Sequence, residues 1–162
     1  MMRTLVVGVG STIRGDDGVG PAVAEAVACA CGRGAEWMPF DGSALDLLGA
    51  FSGPPRYDRG VVIDCVADGR LREGEVARVL LPQVVAPPDG WLSSHHAGIL
   101  ETFALANHLG EALPPDLRFY GIGVTDATSF NDTLSASLTA RLPAIIAEIV
   151  ADLGAVSSGG IA

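Results

Sequence analysis

Two aspartates and a histidine are the residues of this 162-residue sequence best suited to hold a metal ion. Asp17 follows the first apolar run, Asp64 lies near the end of another, and His95 lies at the start of a predicted helix. Carboxylate oxygens and imidazole nitrogens form a ligand set suited to a borderline divalent ion such as zinc or nickel. The three residues are far apart in sequence, so the fold must bring them together before they can act.

The surrounding elements predict an α/β fold, a three-layer α/β/α sandwich with a mostly parallel sheet. Strands that alternate with helices imply right-handed crossovers, and ligands of such sheets bind beyond the carboxyl ends of the strands. All three candidate residues fall at such ends. The apolar runs and turn residues predict strands at 4–9, 35–40, 60–66, 75–81 and 117–124, and helices at 22–32, 45–48, 93–108 and 133–153, the last kinked or broken at Pro143.

Each candidate residue also has an ordinary structural interpretation. A carboxylate at Asp64 is costly in an apolar run unless it is paired, but backbone N–H groups at a strand–loop corner would satisfy it as well as a cation. We expect one of Asp16 and Asp17 to cap the following helix, which leaves Asp17 as the better ligand candidate. A histidine at a helix end is usually structural or exposed, and His96 beside His95 leaves the ligand open between them.

Other catalytic and binding motifs are incomplete in this sequence. The segment 8–13 begins like a dinucleotide fingerprint, but Ile13 stands at the third glycine position, and Asp16 replaces the lysine of a phosphate loop. No serine lies in a Gly-x-Ser-x-Gly elbow. Cys65 adjoins Asp64, whose charge raises rather than lowers the pKa of a thiol. The sequence therefore favours a metal-assisted reaction over a covalent nucleophile.

Composition narrows the classes of partner. The net charge of −9 argues against a nucleic-acid ligand and favours a cationic peptide or a metal ion. An odd count of three cysteines argues against a disulfide framework. The first apolar run is too short for a signal peptide or a membrane span, so a cytoplasmic protein without membrane contact is expected. We predict one domain over residues 1–154 and a frayed tail at 155–162.

Several blocks of the sequence resemble the nickel–iron hydrogenase maturation proteases. The most specific is the apolar strand followed by Gly-x-Gly and Asp-Asp-Gly-x-Gly, and the later blocks agree with that family in order and spacing. The similarity extends from about residue 3 to about residue 153. The matching blocks are residues 5–20, 41–43, 63–66, 93–95 and 120–124.

This resemblance implies a five-stranded sheet and a catalytic metal site formed by Asp17, Asp64 and His95. The implied activity is an endopeptidase that removes the C-terminal extension of a hydrogenase large-subunit precursor. Nickel carried by that precursor would be the recognition signal, with another divalent metal as an option in the isolated protein. The sequence departs from the family at Ser11, which replaces an asparagine, and at Asp17, where some members carry glutamate.

The hypothesis for the reaction is a water, polarised by the metal or activated by a carboxylate, that attacks the scissile carbonyl. Three rival functions stay open at this point. They are a nucleotide-binding α/β domain, a non-catalytic assembly chaperone for the large subunit, and a metal-dependent peptidase of broader specificity.

Overall fold

A computed structural model of the chain describes residues 1–80 and 98–155. Strands and helices alternate along these residues, as predicted for the α/β class. A short 3-10 turn at Gly15–Gly18 precedes the first helix. The strands are β1 (Thr4–Val9), β2 (Ala35–Phe40), β3 (Arg59–Val66), β4 (Val76–Leu80) and β5 (Asp116–Gly123), and the helices are α1 (Val19–Cys31), α2 (Ala44–Ser52), α3 (Ile99–His108) and α4 (Ala136–Ala155).

The five strands form one sheet in the order β2-β1-β3-β5-β4. β1 pairs in parallel with β2 and β3, β3 pairs in parallel with β5, and β4 is antiparallel to β5. The prediction of a mostly parallel sheet of about five strands is confirmed. From β1 the chain crosses to β2 on one side, and from β3 it continues to the other side. The carboxyl ends of β1 and β3 are therefore the switch point at which such sheets bind ligands.

Alternate residues of the central strands pack against two different pairs of helices. Val61 and Ile63 belong to the apolar cluster formed with α1 and α4. Val62 belongs to the opposite cluster, in which Phe51 of α2 meets Phe103 of α3 edge to face at 5.9 Å. Both faces of β3 are thus covered, which explains its uninterrupted apolar run and confirms the three-layer sandwich.

Glycines let the first turn of α1 lie directly on the sheet. A Cβ atom added to Gly8 would lie 2.5 Å from Pro21 Cα, and one added to Gly20 would lie 2.7 Å from the carbonyl oxygen of Ile63. The same Cβ at Gly20 would overlap the carbonyl oxygen of Val9. Backbone therefore meets backbone at this crossing, and the loop between β1 and α1 is held against the ends of β1 and β3.

One sequence prediction needs correction, and two others lie outside the described chain. The sequence predicted a kink or a break at Pro143. The break is wrong, because α4 is one helix from Ala136 to Ala155, and the kink stays a prediction. Proline removes only one backbone donor, while buried residues on both sides, Leu138 and Ile145, anchor the helix to the same core. The predicted helix start around His95, and the tail beyond residue 155, fall on residues 81–97 and 156–162, which are not described. Among the described helices, none has the length and apolar character that a bilayer span requires.

The close approach at Gly20 predicts a stability difference between two alanine substitutions. Gly20→Ala should lower the free energy of unfolding by about 1–3 kcal/mol, because backbone oxygens cannot move aside for the new methyl group. Gly49→Ala, in α2, should raise it by about 0.5–1 kcal/mol, since an added Cβ there meets nothing within 4 Å. Chemical denaturation of both variants and the parent measures the effect. Equal stability of Gly20→Ala and the parent would contradict the packing described.

Candidate functional site

The loop that follows β1 aims Asp17 back toward the end of the sheet. Gly10 has a φ of +138°, which L side chains rarely adopt, and a Cβ there would overlap the carbonyl of Asp17. The N–H of Ser11 donates to Asp17 Oδ2 at 2.8 Å. The aspartate is 1% exposed. A tight glycine turn and one backbone donor therefore fix this carboxylate in a buried position.

Asp64 places a second buried carboxylate at the adjacent strand end. The register of β1 and β3 pairs Gly8 with Ile63, so Asp64 lies level with the last residue of β1. The side chain is 1% exposed, and Oδ1 accepts the N–H of Cys65 at 2.7 Å. A backbone N–H therefore satisfies one oxygen of Asp64, which is the alternative to a cation that the sequence analysis considered. This hydrogen bond also fixes the orientation of the carboxylate plane.

Asp17, Asp64 and Cys65 converge at the switch point. One donor atom from each lies within 4.8 Å of the others, and all three residues are buried. The Cys65 thiol donates to Asp17 Oδ1 at 3.1 Å. The structure thus brings together the two predicted aspartates and adds a cysteine that the sequence analysis considered only as a nucleophile. His95 and His96 lie outside the described residues, so their place in the site stays a prediction.

The Cys65 thiol is a poor nucleophile in this setting. Burial raises its pKa, and the negative charge of Asp64 and the hydrogen bond to Asp17 raise it further. This rise in the pKa of the thiol was predicted from its neighbour Asp64. The protein as described therefore holds a protonated thiol that donates to a carboxylate.

Asp16 and Asp17 have different partners, and neither caps α1. The N-cap residue of α1 is Gly18, so no side chain caps this helix. The expectation that one aspartate caps the following helix is wrong, because the 3-10 turn places both ahead of the helix start. Asp16 instead accepts the N–H and the hydroxyl of Ser135, at 2.7 and 3.0 Å, just before α4. Asp16 therefore anchors the loop, while Asp17 faces the cluster.

Backbone hydrogen bonds join the loop between β1 and α1, here called the site loop, to the loop between β5 and α4. Gly15 N–H donates to the carbonyl of Asn131 at 2.8 Å, and Asn131 N–H donates to the carbonyl of Ile13 at 3.1 Å. Asp16 N–H donates to the carbonyl of Asp126 at 3.2 Å. The loop between β5 and α4 thus holds the glycine-rich loop along its length. Two aspartates at the mouth of such a loop disfavour a phosphate ligand.

An open groove of about 330 Å³ adjoins the site loop without containing the cluster. The residues that line it include Gly15, Gly18, Trp37, Pro39 and Leu134. None of the three cluster residues lines this groove. The carboxylates thus lie beneath the surface beside the groove, not within it.

The sequence analysis also missed a buried ionic group on β5. Arg118 is 1% exposed and donates to Asp116 at 2.8 Å and to the backbone carbonyl of Asp152 at 2.9 Å. The Tyr120 hydroxyl donates to the Asp152 carboxylate at 2.6 Å. This group joins β5 to α4. The sequence feature that could have predicted it is an arginine inside a predicted strand. Arg118 pairs in register with Val61, three residues before Asp64, so the group is structural and separate from the cluster.

Comparison with solved structures identifies a shared fold. The hydrogenase maturating endopeptidase HybD from E. coli aligns with a TM-score of 0.68 at 18% identity, covering 96% of this chain and 94% of that one. The [NiFe] hydrogenase maturation protease HycI from Thermococcus kodakarensis KOD1 aligns at 0.67 and 19%, covering 92% and 90%. HybD from Thermococcus kodakarensis aligns at 0.65 and 23%, covering 94% and 99%. Neither protein-family models nor curated proteins match the sequence. The chain therefore has the fold of these proteases over nearly its whole length.

The anchoring role of Asp16 predicts a stability loss that an exposed aspartate of the supporting loop does not share. Asp16→Ala should lower the free energy of unfolding by about 1–3 kcal/mol, because the donors of Ser135 lose their partner in a partly buried site. Asp132→Ala removes the same charge from an exposed position and should change stability by less than about 0.5 kcal/mol. Thermal or denaturant unfolding compares them, and equal effects would remove the anchoring role.

Proposed function

We propose that this protein is an endopeptidase that removes the C-terminal extension of a nickel-loaded hydrogenase large-subunit precursor in the cytoplasm. The observation that carries the proposal is the meeting of Asp17 and Asp64 at the carboxyl ends of β1 and β3. These are the two aspartates that the sequence resemblance assigns to the catalytic site. The fold shared with hydrogenase maturation endopeptidases supports the same assignment.

The charge of the two carboxylates suits a divalent ion as the recognised feature of the substrate. Two negative charges about 4.8 Å apart repel each other by about 3 kcal/mol at an effective dielectric constant of 20. A divalent cation between them replaces that repulsion with attraction to both. Nickel in the precursor would therefore dock against Asp17 and Asp64, and His95 is proposed as the third ligand.

The site favours attack by water over a covalent intermediate. The buried, protonated Cys65 is the nearest thiol, and it is occupied by its hydrogen bond to Asp17. In the proposed reaction, a water activated by a carboxylate, or polarised by the substrate's own nickel, attacks the scissile carbonyl. A carboxylate takes up the water's proton, the peptide C–N bond breaks, and the amine of the removed tail leaves with that proton. Docking of the nickel holds the adjacent tail close to that water, and this proximity fixes the position of the cut.

A non-catalytic assembly chaperone would bind the same precursor through the same carboxylates. The two functions differ in the mass of the precursor after incubation, because only a peptidase shortens it. A peptidase of broad specificity differs in turn by hydrolysing unrelated peptides. The dependence on a substrate-borne metal favours the narrow specificity.

The proposed role of Asp64 predicts a large loss of cleavage when its charge is removed. Asp64→Asn keeps the shape and the acceptor for the Cys65 N–H, yet it should slow conversion of nickel-loaded precursor by at least about 100-fold. Asp68→Asn, at an exposed position just beyond β3, should leave the rate within about twofold. Intact-mass spectrometry of the precursor over time gives both rates. Undiminished processing by Asp64→Asn would remove this residue from the mechanism.

A further inference from the structure

The position of Cys65 beside the two carboxylates gives the cluster a sulfur donor. Its thiol contacts Asp17 Oδ1 at 3.1 Å, and one donor atom of each of the three residues falls within 4.8 Å of the others. We propose that Cys65 is a metal ligand together with Asp17 and Asp64, so that the site prefers thiophilic divalent ions over magnesium. The inference deepens the proposed function, on which it rests for the identity of the natural ion.

The donor spacing fits one ion after the donors draw together. In a tetrahedral site, carboxylate oxygens lie about 2.1 Å and thiolate sulfur about 2.3 Å from an ion such as zinc, so two donors of one ion are roughly 3.4–3.6 Å apart. From their 4.8 Å limit, the three donors therefore need to draw together by at most roughly 1.4 Å. Rotation of three short side chains supplies such a shift without moving the strands.

The ligand exchange balances as the replacement of a proton by a metal ion. The thiol that donates to Asp17 in the metal-free protein loses its proton to solvent, and the sulfur lone pair binds the ion. Two carboxylates and one thiolate carry three negative charges, which a divalent ion reduces to one. The hydrogen bond between thiol and carboxylate is thus exchanged for two bonds to the same metal.

Sulfur changes which ions such a site selects. Sites made of oxygen ligands suit magnesium, calcium and manganese, whereas thiolates favour softer ions. Nickel, cobalt, zinc and cadmium would therefore bind more tightly here than magnesium. A serine in place of Cys65 would retain a polar group of similar size but would remove this preference.

The test reads the metal–sulfur bond directly. Cys29 and Cys31 are exposed and would bind added metal, so the parent for the experiment is the full chain with Cys29→Ser and Cys31→Ser. Titration of this parent with cadmium should produce the ultraviolet charge-transfer absorption of a thiolate–cadmium bond, and excess magnesium should not. Adding Cys65→Ser should abolish the band and weaken cadmium binding on the order of 10–100-fold.

Two further variants guard against a folding artefact. Cys65→Ala should behave as Cys65→Ser does, and Asp17→Asn should weaken cadmium binding while the thiol remains present. Circular dichroism spectra and unfolding curves establish that each variant is folded. The inference is overturned if the parent binds no cadmium, if it binds cadmium without the band, or if the band survives in Cys65→Ala.

Cleavage of nickel-loaded precursor by the same parent separates this inference from the proposed function. Cleavage without a thiolate–cadmium band overturns the role of Cys65 as a ligand and leaves the peptidase intact. A band without cleavage supports Cys65 as a ligand and overturns the peptidase proposal.

Discussion

Two carboxylates buried side by side at the ends of β1 and β3 are the constraint to which the surrounding structure is fitted. Burial of a carboxylate away from water costs several kcal/mol unless hydrogen bonds or a cation compensate it. Ser11 and Cys65 each give one backbone N–H to this cluster, and the Cys65 thiol gives a third donor. Burial of this cluster lowers the free energy of unfolding, and such a loss of stability is typical of functional sites.

The scaffold fixes these side chains through backbone contacts. Gly8 and Gly20 bring α1 onto the sheet, so the loop between β1 and α1 has little freedom in its path. Asp16 ties the same loop to Ser135 at the start of α4, and Asn131 adds backbone hydrogen bonds. The adjacent aspartates therefore have different roles: Asp16 positions the loop, and Asp17 lies in the site. Rigid support of this kind keeps donor atoms near the geometry that a metal requires.

Local patterns were sufficient to predict the fold. Uninterrupted apolar runs identified strands covered on both faces. Ser43 directly before α2 is a typical helix cap, and it accepts the N–H of Asp46. The meeting of Asp17 and Asp64 followed from the rule that parallel strands gather their carboxyl ends. These inferences need only the sequence near each element and one rule of topology.

Long-range partners could not be predicted in the same way. Asp16 accepts a hydrogen bond from Ser135, which is 119 residues away, and no local sequence pattern predicts that pair. Neighbours in a strand point to opposite faces, so the strand pattern alone does not place Asp64 and Cys65 in one cluster. They do so because Asp17 reaches over the strand end and contacts the thiol. Pro143 suggested a kink or a break in α4, and the break is absent because tertiary packing holds that helix together.

In the proposed function, the protein cuts a precursor which it recognises by its nickel. The most direct test incubates the wild-type protein with nickel-loaded and with metal-free large-subunit precursor and follows the intact mass of each. We expect that only the loaded precursor loses its C-terminal extension. Equal cleavage of both forms would contradict recognition through the metal, and an unchanged mass of the loaded form would contradict the peptidase itself.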